Sequence, residues 1–387
     1  MLLPPEIVDH IIDFVDDNRS LHACSLVAKS WVDRSRVYLF RDVALFSHRQ
    51  WQKVMPTGIT SPARYTRSLA LVHGNTPRGR WITTDNLYPF LAHLRDFRNV
   101  ENLTLDGWVP SVFSEGGLKK YFGHFGENLR SLVLGGERMS PDSFLVLLGL
   151  LPNLEDLSVK ECIEGSKTSR VPTVSPKLSG RLTLSVHTKS LFPTLCKLPL
   201  RFQEIRLQEH LRDYQELINA CAETLVDFRA MPLDFGRPRH QIFILHLDLT
   251  PSPSDHEISF QECKELVELT LVKRSIERAT QDIMAIFSTI TSKHIRQITI
   301  GFTNPVTDTQ LVSMVEHKTW EKFDEAIARL AEQTSNNGRK LQLKLHVCGD
   351  ASIGSFNFLF PRFVESGRFM VVKASYIWNG SISRSIS

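Results

Sequence analysis

Long apolar runs are missing from this 387-residue chain. The longest, FLVLLGLL at Phe144–Leu151, is well short of the roughly 18–20 residues that cross a bilayer. No membrane partner is expected. Asp9, Asp13, Asp16 and Asp17 interrupt the apolar start within a few residues, which does not suit a secretory leader. The expected setting is therefore cytoplasmic and/or nuclear. Cysteine is sparse and scattered: six residues, no two closer than twenty-five positions, and no C-x-x-C pair. That excludes a local zinc knuckle or thioredoxin-like site and suits reduced thiols. Charge of one sign is lacking too. The net charge is only +4 and no basic cluster stands out, so no nucleic-acid partner is expected.

Catalytic spellings are equally absent. The chain has no G-x-x-x-x-G-K-[ST] loop, no G-x-S-x-G elbow and no H-E-x-x-H helix. Its fourteen histidines are dispersed, and His187, His246 and His346 sit in strand-like runs as structural groups. Glycines at Glu115–Gly117 and Leu134–Arg138 read as turn residues at repeat corners, not as a phosphate cradle. The expectation is a non-catalytic protein with no cofactor and no metal.

What the chain does have begins almost at once. Pro4 and Pro5 suit the first turn of a helix, where a missing N–H costs nothing. Ile7, Ile11, Phe14 and Val15 follow on one helical face, and Val8 and Ile12 form a second stripe beside it. So wide an apolar arc exceeds what one neighbouring helix covers. A second helix is expected from about Asn18 or Ser20 through Leu21, Cys24, Val27 or Ala28 and Trp31, then a strand at Arg41–Phe46. Such a small unit buries little by itself and leans on a neighbour or a partner.

The order Leu3-Pro4-Pro5-Glu6, an apolar helix, a polar turn, then L-x-x-x-x-L-V-x-K-S-W from Leu21 to Trp31, resembles the F-box, in the spelling of fungal F-box-like proteins. The resemblance covers about residues 3–46. It departs from the family where few residues precede Leu3 and where Asp16–Arg19 lengthens the first turn. It implies docking on the Skp-family adaptor of a cullin-RING ubiquitin ligase. Leu3, Pro4, Ile7, Ile11, Leu26, Val27 and Trp31 would supply the docking surface or the small core beneath it.

From residue 65 a short pattern recurs, apolar at alternate positions and often introduced by Asn-Leu or a similar pair. It reads RSLALVHG at Arg67–Gly74, NVENLTLDGW at Asn99–Trp108, NLRSLVLGGE at Asn128–Glu137 and NLEDLSVKEC at Asn153–Cys162. Weaker copies lie at Gly180–Thr188, Arg201–His210, Glu265–Arg274, His294–Thr303 and Lys340–Gly349. Leu103, Leu132, Leu157, Leu182 and Ile205 are spaced 29, 25, 25 and 23 residues apart. Helical spacing fills the intervals, as at Asp85–Phe97, Ser140–Leu151, Leu211–Leu225, Thr280–Ile290 and Glu321–Gln333. Strand, turn and helix in repetition predict an α/β fold. The period resembles irregular leucine-rich repeats, which implies a solenoid of parallel strands with helices on its convex side. The expected organisation is an F-box-like unit at 1–47, a connection at 48–64, repeats over 65–378 with Phe356–Trp378 covering the last, and a polar tail at 379–387.

In that arrangement a target protein would be read after the strands. Trp108, Glu137, Arg138, Lys160, Glu161, His210, Lys273, Arg274 and Phe302 follow strand cores and are the candidate contacts. The sequence leaves three functional readings: a substrate-recruiting ligase subunit, a repeat scaffold whose N-terminal helices only cap it, or an F-box protein that binds the adaptor but serves transcription or assembly without ubiquitination. Exposure or burial of the extra stripe on residues 3–15 separates the first two.

Overall fold

The structure, a computed structural model, describes residues 4–47, 50–52, 61–72, 91–107, 115–135, 139–160, 176–184, 192–207, 214–230, 258–273, 276–315, 319–335, 340–348, 356, 359–366 and 368–373. The chain forms two compact units, Met1–Leu178 with Lys197–Pro199, and Ser179–Cys196 with Leu200–Ser387. Both are α/β, and every strand pairing described is parallel.

The first unit opens with α1 (Pro5–Asp13), α2 (Asn18–Val27) and α3 (Lys29–Leu39). Asp17 caps α2 by accepting from the Arg19 and Ser20 amides at 3.0 and 2.9 Å. The single helix expected through Trp31 is in fact two. Ala28 adopts extended backbone (φ −155°, ψ 156°), ending α2 and starting α3. Strand β1 (Asp42–Leu45) follows directly and pairs with β2 (Ser68–Val72). Next come β3 (Asn102–Asp106), α4 (Glu115–Phe122), β4 (Ser131–Gly135), α5 (Pro141–Gly149) and β5 (Asp156–Lys160).

Register shows why the sequence repeats. Val43, Leu69, Leu103, Leu132 and Leu157 stand in one row across the five strands, and Leu45, Leu71, Leu105, Leu134 and Val159 in the next. All ten are buried. Parallel strands cannot be closed by a tight hairpin, so each repeat needs a return segment before it can pair again. At each of the four junctions of β1 to β5 one carbonyl just before a strand accepts two successive amides of the next repeat. Arg41 takes Arg67 and Ser68, Arg67 takes Glu101 and Asn102, and Arg130 takes Glu155 and Asp156. The recurrent asparagines sit beside these junctions. Asn99, Asn128 and Asn153 each donate through Nδ2 to a carbonyl of the preceding turn, those of Arg64, Arg98 and Glu127, at 2.6, 2.8 and 3.0 Å.

Two glycine readings change. Gly116 and Gly117 lie in the first turns of α4, and Gly135 is the last residue of β4. A Cβ at Gly135 would stand 2.7 Å from Asp106 Oδ1, the end of a side chain on the neighbouring strand that would have to turn aside.

The second unit carries β6 (Arg181–Leu184), α6 (Phe192–Leu195), β7 (Glu204–Leu207), α7 (Gln215–Ala220), β8 (Asp227–Ala230), β9 (Glu268–Lys273) and α8 (Ile276–Thr289). It continues with β10 (Gln297–Pro305), α9 (Asp308–Val315), α10 (Thr319–Ser335), β11 (Gln342–Cys348), α11 (Pro361–Ser366) and β12 (Arg368–Lys373). Leu182, Ile205, Phe228, Leu269, Ile298, Leu343 and Phe369 form its continuous row. The long interval between Ile298 and Leu343 holds two helices, α9 and α10. Residues near the end, expected to cover the last repeat, instead add β12 to β11 in parallel. An aromatic cluster fills this region: Trp320 meets Phe360 edge-on at 5.2 Å, and Phe287 stacks with Phe323 at 5.4 Å. Buried Asp324 accepts the Arg362 and Phe363 amides, both at 2.9 Å, at the start of α11.

Candidate protein-docking surface

The apolar residues of the N-terminal helices divide between two jobs. Val8, Ile12 and Leu21 are buried together, with Val15, Cys24, Trp31, Tyr38 and Leu39 packed against them. Val8, Ile12 and Val15 are spaced i, i+4, i+7, so they form one complete helical stripe facing inward. Ile7, Ile11 and Phe14 repeat the same spacing one residue earlier and stay outside, 47, 41 and 73% exposed. Leu26 and Val27, at the end of α2, are 75 and 64% exposed. An exposed apolar residue is ordinary alone, but five concentrated on two adjoining short helices form an unusual feature.

Val15, expected on one face with Ile7, Ile11 and Phe14, packs against the core instead, and Phe14 stays outside, met by His10 edge-on at 4.9 Å. Pro4 is exposed, Trp31 is half-buried in the small core, and Leu3 lies outside the described residues. Phe14 is the surface residue the candidate set did not include. Its i+7 spacing from Ile7 was the available signal.

Polar contacts fix this surface in place. Arg34 of α3 donates through Nε and Nη2 to both carboxylate oxygens of Asp13, at 2.7 and 2.6 Å, and Tyr38 Oη donates to Asp13 at 2.8 Å. The Arg34 and Tyr38 hydrogen bonds hold the Asp13 carboxyl below its ordinary range. A bidentate pair constrains direction as well as distance, so it sets how α1 lies on α3. In turn, α3 is tied to the following turn by Tyr65 Oη, which donates to Asp33 at 2.8 Å.

Of the candidate target contacts, Lys160 is exposed at the end of β5. Lys273 ends β9, described for its backbone alone. Trp108, Glu137, Arg138, Glu161, His210 and Arg274 lie outside the described residues. Phe302 is corrected outright. Strand β10 runs on to Pro305, which puts Phe302 in phase with Ile298 and Ile300, and it is buried.

Burial pushes the thiols of Cys196, Cys221 and Cys263 up, to about 11, 12 and 12, far from thiolate reactivity at neutral pH. Among the described residues no group of three or more His, Cys, Asp or Glu side chains could hold a metal ion. No described helix is long and apolar enough to cross a membrane. No protein-family model matches the chain, and no curated protein matches it in sequence.

Proposed function

We propose that this protein is a substrate-recruiting subunit of a Skp–cullin–F-box type ubiquitin ligase. Its N-terminal helices act as the F-box and dock on the Skp-family adaptor, and its irregular leucine-rich-repeat solenoid holds a target protein. The observation that carries this reading is the outward stripe Ile7, Ile11 and Phe14, together with exposed Leu26 and Val27 at the end of α2. A helical cap would turn that stripe against its own repeats; here Val8, Ile12 and Val15 pack within the N-terminal helices, and Ile7, Ile11 and Phe14 stay exposed. The role requires no bond chemistry from this chain. It raises the effective concentration of a target lysine near the charged ubiquitin carrier.

The test is capture of the adaptor by the full chain, intact and as Phe14→Ala with Ile7→Ala. Both positions are exposed, so the fold persists, which circular dichroism checks. Anchors of this kind each carry about 2 kcal/mol or more of binding, so affinity should fall by at least roughly thirty-fold. An intact chain that fails to bind adaptor overturns the reading and leaves the repeat scaffold. Binding unchanged by the double substitution would mean the docking surface lies elsewhere.

A further inference from the structure

The inward row is closed on every strand but the last. Its described residues on β1 to β11, from Val43 and Leu45 to Leu343 and Leu345, are all buried. On β12 the register partners of Leu343 and Leu345 are Phe369 and Val371, and both are only half-buried. Phe369 rests on buried Phe360, ring centroids 5.1 Å apart. Met370, on the opposite face of the strand, is exposed outright.

The backbone of β12 is open on the same side. In a parallel ladder one residue turns its N–H and C=O to one neighbour, and the next residue turns them to the other. Arg368 N donates to Leu341 O at 2.9 Å, and the register with β11 runs on without a break, so Arg368, Met370 and Val372 face β11. Phe369 and Val371 turn their backbone groups outward, where no strand lies among the described residues. Open backbone groups beside uncovered apolar side chains are what one more strand completes. Charge decides which strand. β11 and β12 carry Lys344, Arg368 and Lys373 and no acid, and Arg368 is exposed with no ion pair among the described residues. A second copy paired edge to edge would set like charge on like. Residues 374–387 hold one arginine and no acid, so the chain's own tail is no better complement. A nucleic acid is anionic but has no N–H and C=O ladder to pair.

We infer that the outer edge of β12 binds an extended peptide segment of a partner protein as a further strand. Its apolar side chains, at alternate positions, lie beside Phe369 and Val371, and carboxylates at the intervening positions face Arg368. This names a partner for the repeats and does not depend on the adaptor contact proposed for α1.

The test titrates the full-length chain with a fluorescein-labelled heptapeptide of alternating valine and glutamate, read by polarisation. It should bind, and the same peptide with lysine for glutamate should bind about ten-fold more weakly. Val371→Pro removes one outward N–H and leaves the ladder to β11 whole, since proline is tolerated on the outer side of an edge strand. Arg368→Glu reverses an exposed charge that joins no ion pair among the described residues. Each variant should weaken binding by about ten-fold, the scale of one charge-assisted bond or of one ladder bond with its packed side chain. Thermal unfolding checks that both remain folded. Failure of the intact chain to bind, equal binding of the lysine peptide, or undiminished binding by either folded variant would each overturn the inference. So would a dimer of the intact chain that Val371→Pro dissolves, because a second copy would then hold the edge. Adaptor capture without peptide binding refutes this inference alone, and peptide binding without adaptor capture refutes the ligase reading alone.

Discussion

The two units use one backbone device and support it with different side chains. In the first, asparagines 99, 128 and 153 bond back to the preceding turn. In the second, hydroxyls do the same work: Thr224 Oγ1 donates to Phe202 O at 3.2 Å, and Ser292 Oγ lies 2.8 Å from both Lys264 O and Leu266 O, which share its one hydrogen. The doubled junction persists regardless, with Gln203 accepting from Val226 and Asp227, and Val226 from Val267 and Glu268. Their alternate rows differ more. Ala44, Ala70, Thr104, Val133 and Ser158 cross the first unit without a charge, whereas the second has Arg206, Arg229 and Lys344. In the second unit that row is itself partly closed, with Thr270 and Thr299 buried between Arg229 and Lys344. The first unit carries exposed apolar residues on α1 and α2, whereas the second carries half-buried charge on its strands.

The comparison breaks most visibly in the shared inward row. Leu132→Ala in the first unit and Leu269→Ala in the second remove equivalent, fully buried side chains. Each should cost about 2–5 kcal/mol in urea-induced unfolding. A markedly smaller loss at one position would show that its neighbours collapse into the space, and the two units would then differ in packing as well as in surface.

The junction side chains give a smaller and sharper contrast. Asn128→Ala removes the bond to the Arg98 carbonyl, and Thr224→Val removes the one to Phe202 O while keeping its shape. Each should cost about 0.5–1.5 kcal/mol, since the loss is one neutral hydrogen bond at a partly solvated site. Equal costs would establish that hydroxyl and amide are interchangeable there.

That interchange explains what the sequence could reveal. Where Asn-Leu recurs with full leucine rows, strands β3, β4 and β5 fall at the expected places. Strand β8, Asp227–Ala230, escaped notice because its inward residues are Phe228 and Ala230 and its junction residue is Thr224, so neither the leucines nor the asparagine mark it. The break at Ala28 was equally hidden, since alanine favours helix and the extended conformation there is imposed by α1 and α2 both packing on α3. On α1 the helical period was plain, but two adjacent stripes of identical spacing are indistinguishable until something shows which one is covered. The pairing of Arg181 and Arg206 with Glu204, and of Arg229 with Asp227, was illegible for another reason: its members are 23 residues apart or alternate along a strand, and only register joins them.

The smallest effect is confined to acid pH. His124 of the first unit packs on Phe125, ring centroids 3.9 Å apart, and its ring nitrogens are buried without a well-formed hydrogen bond. Burial lowers its pKa below the ordinary 6.5, which the nearby Leu94 carbonyl offsets only in part. Below about pH 6.5 the unfolded chain takes up a proton that the folded chain refuses, so stability falls as pH falls through that window and is unaffected above it. His124→Phe keeps a flat ring on Phe125 and removes the group that titrates. Urea unfolding at pH 7.5 and 5.5 should show a smaller acid loss for His124→Phe than for the parent chain. Equal losses would assign the acid sensitivity to other groups, among them His346 of the second unit, whose pKa is likewise lowered by burial and by Lys344. In that case the difference between the units would lie in their exposed surfaces and not in how they tolerate acid.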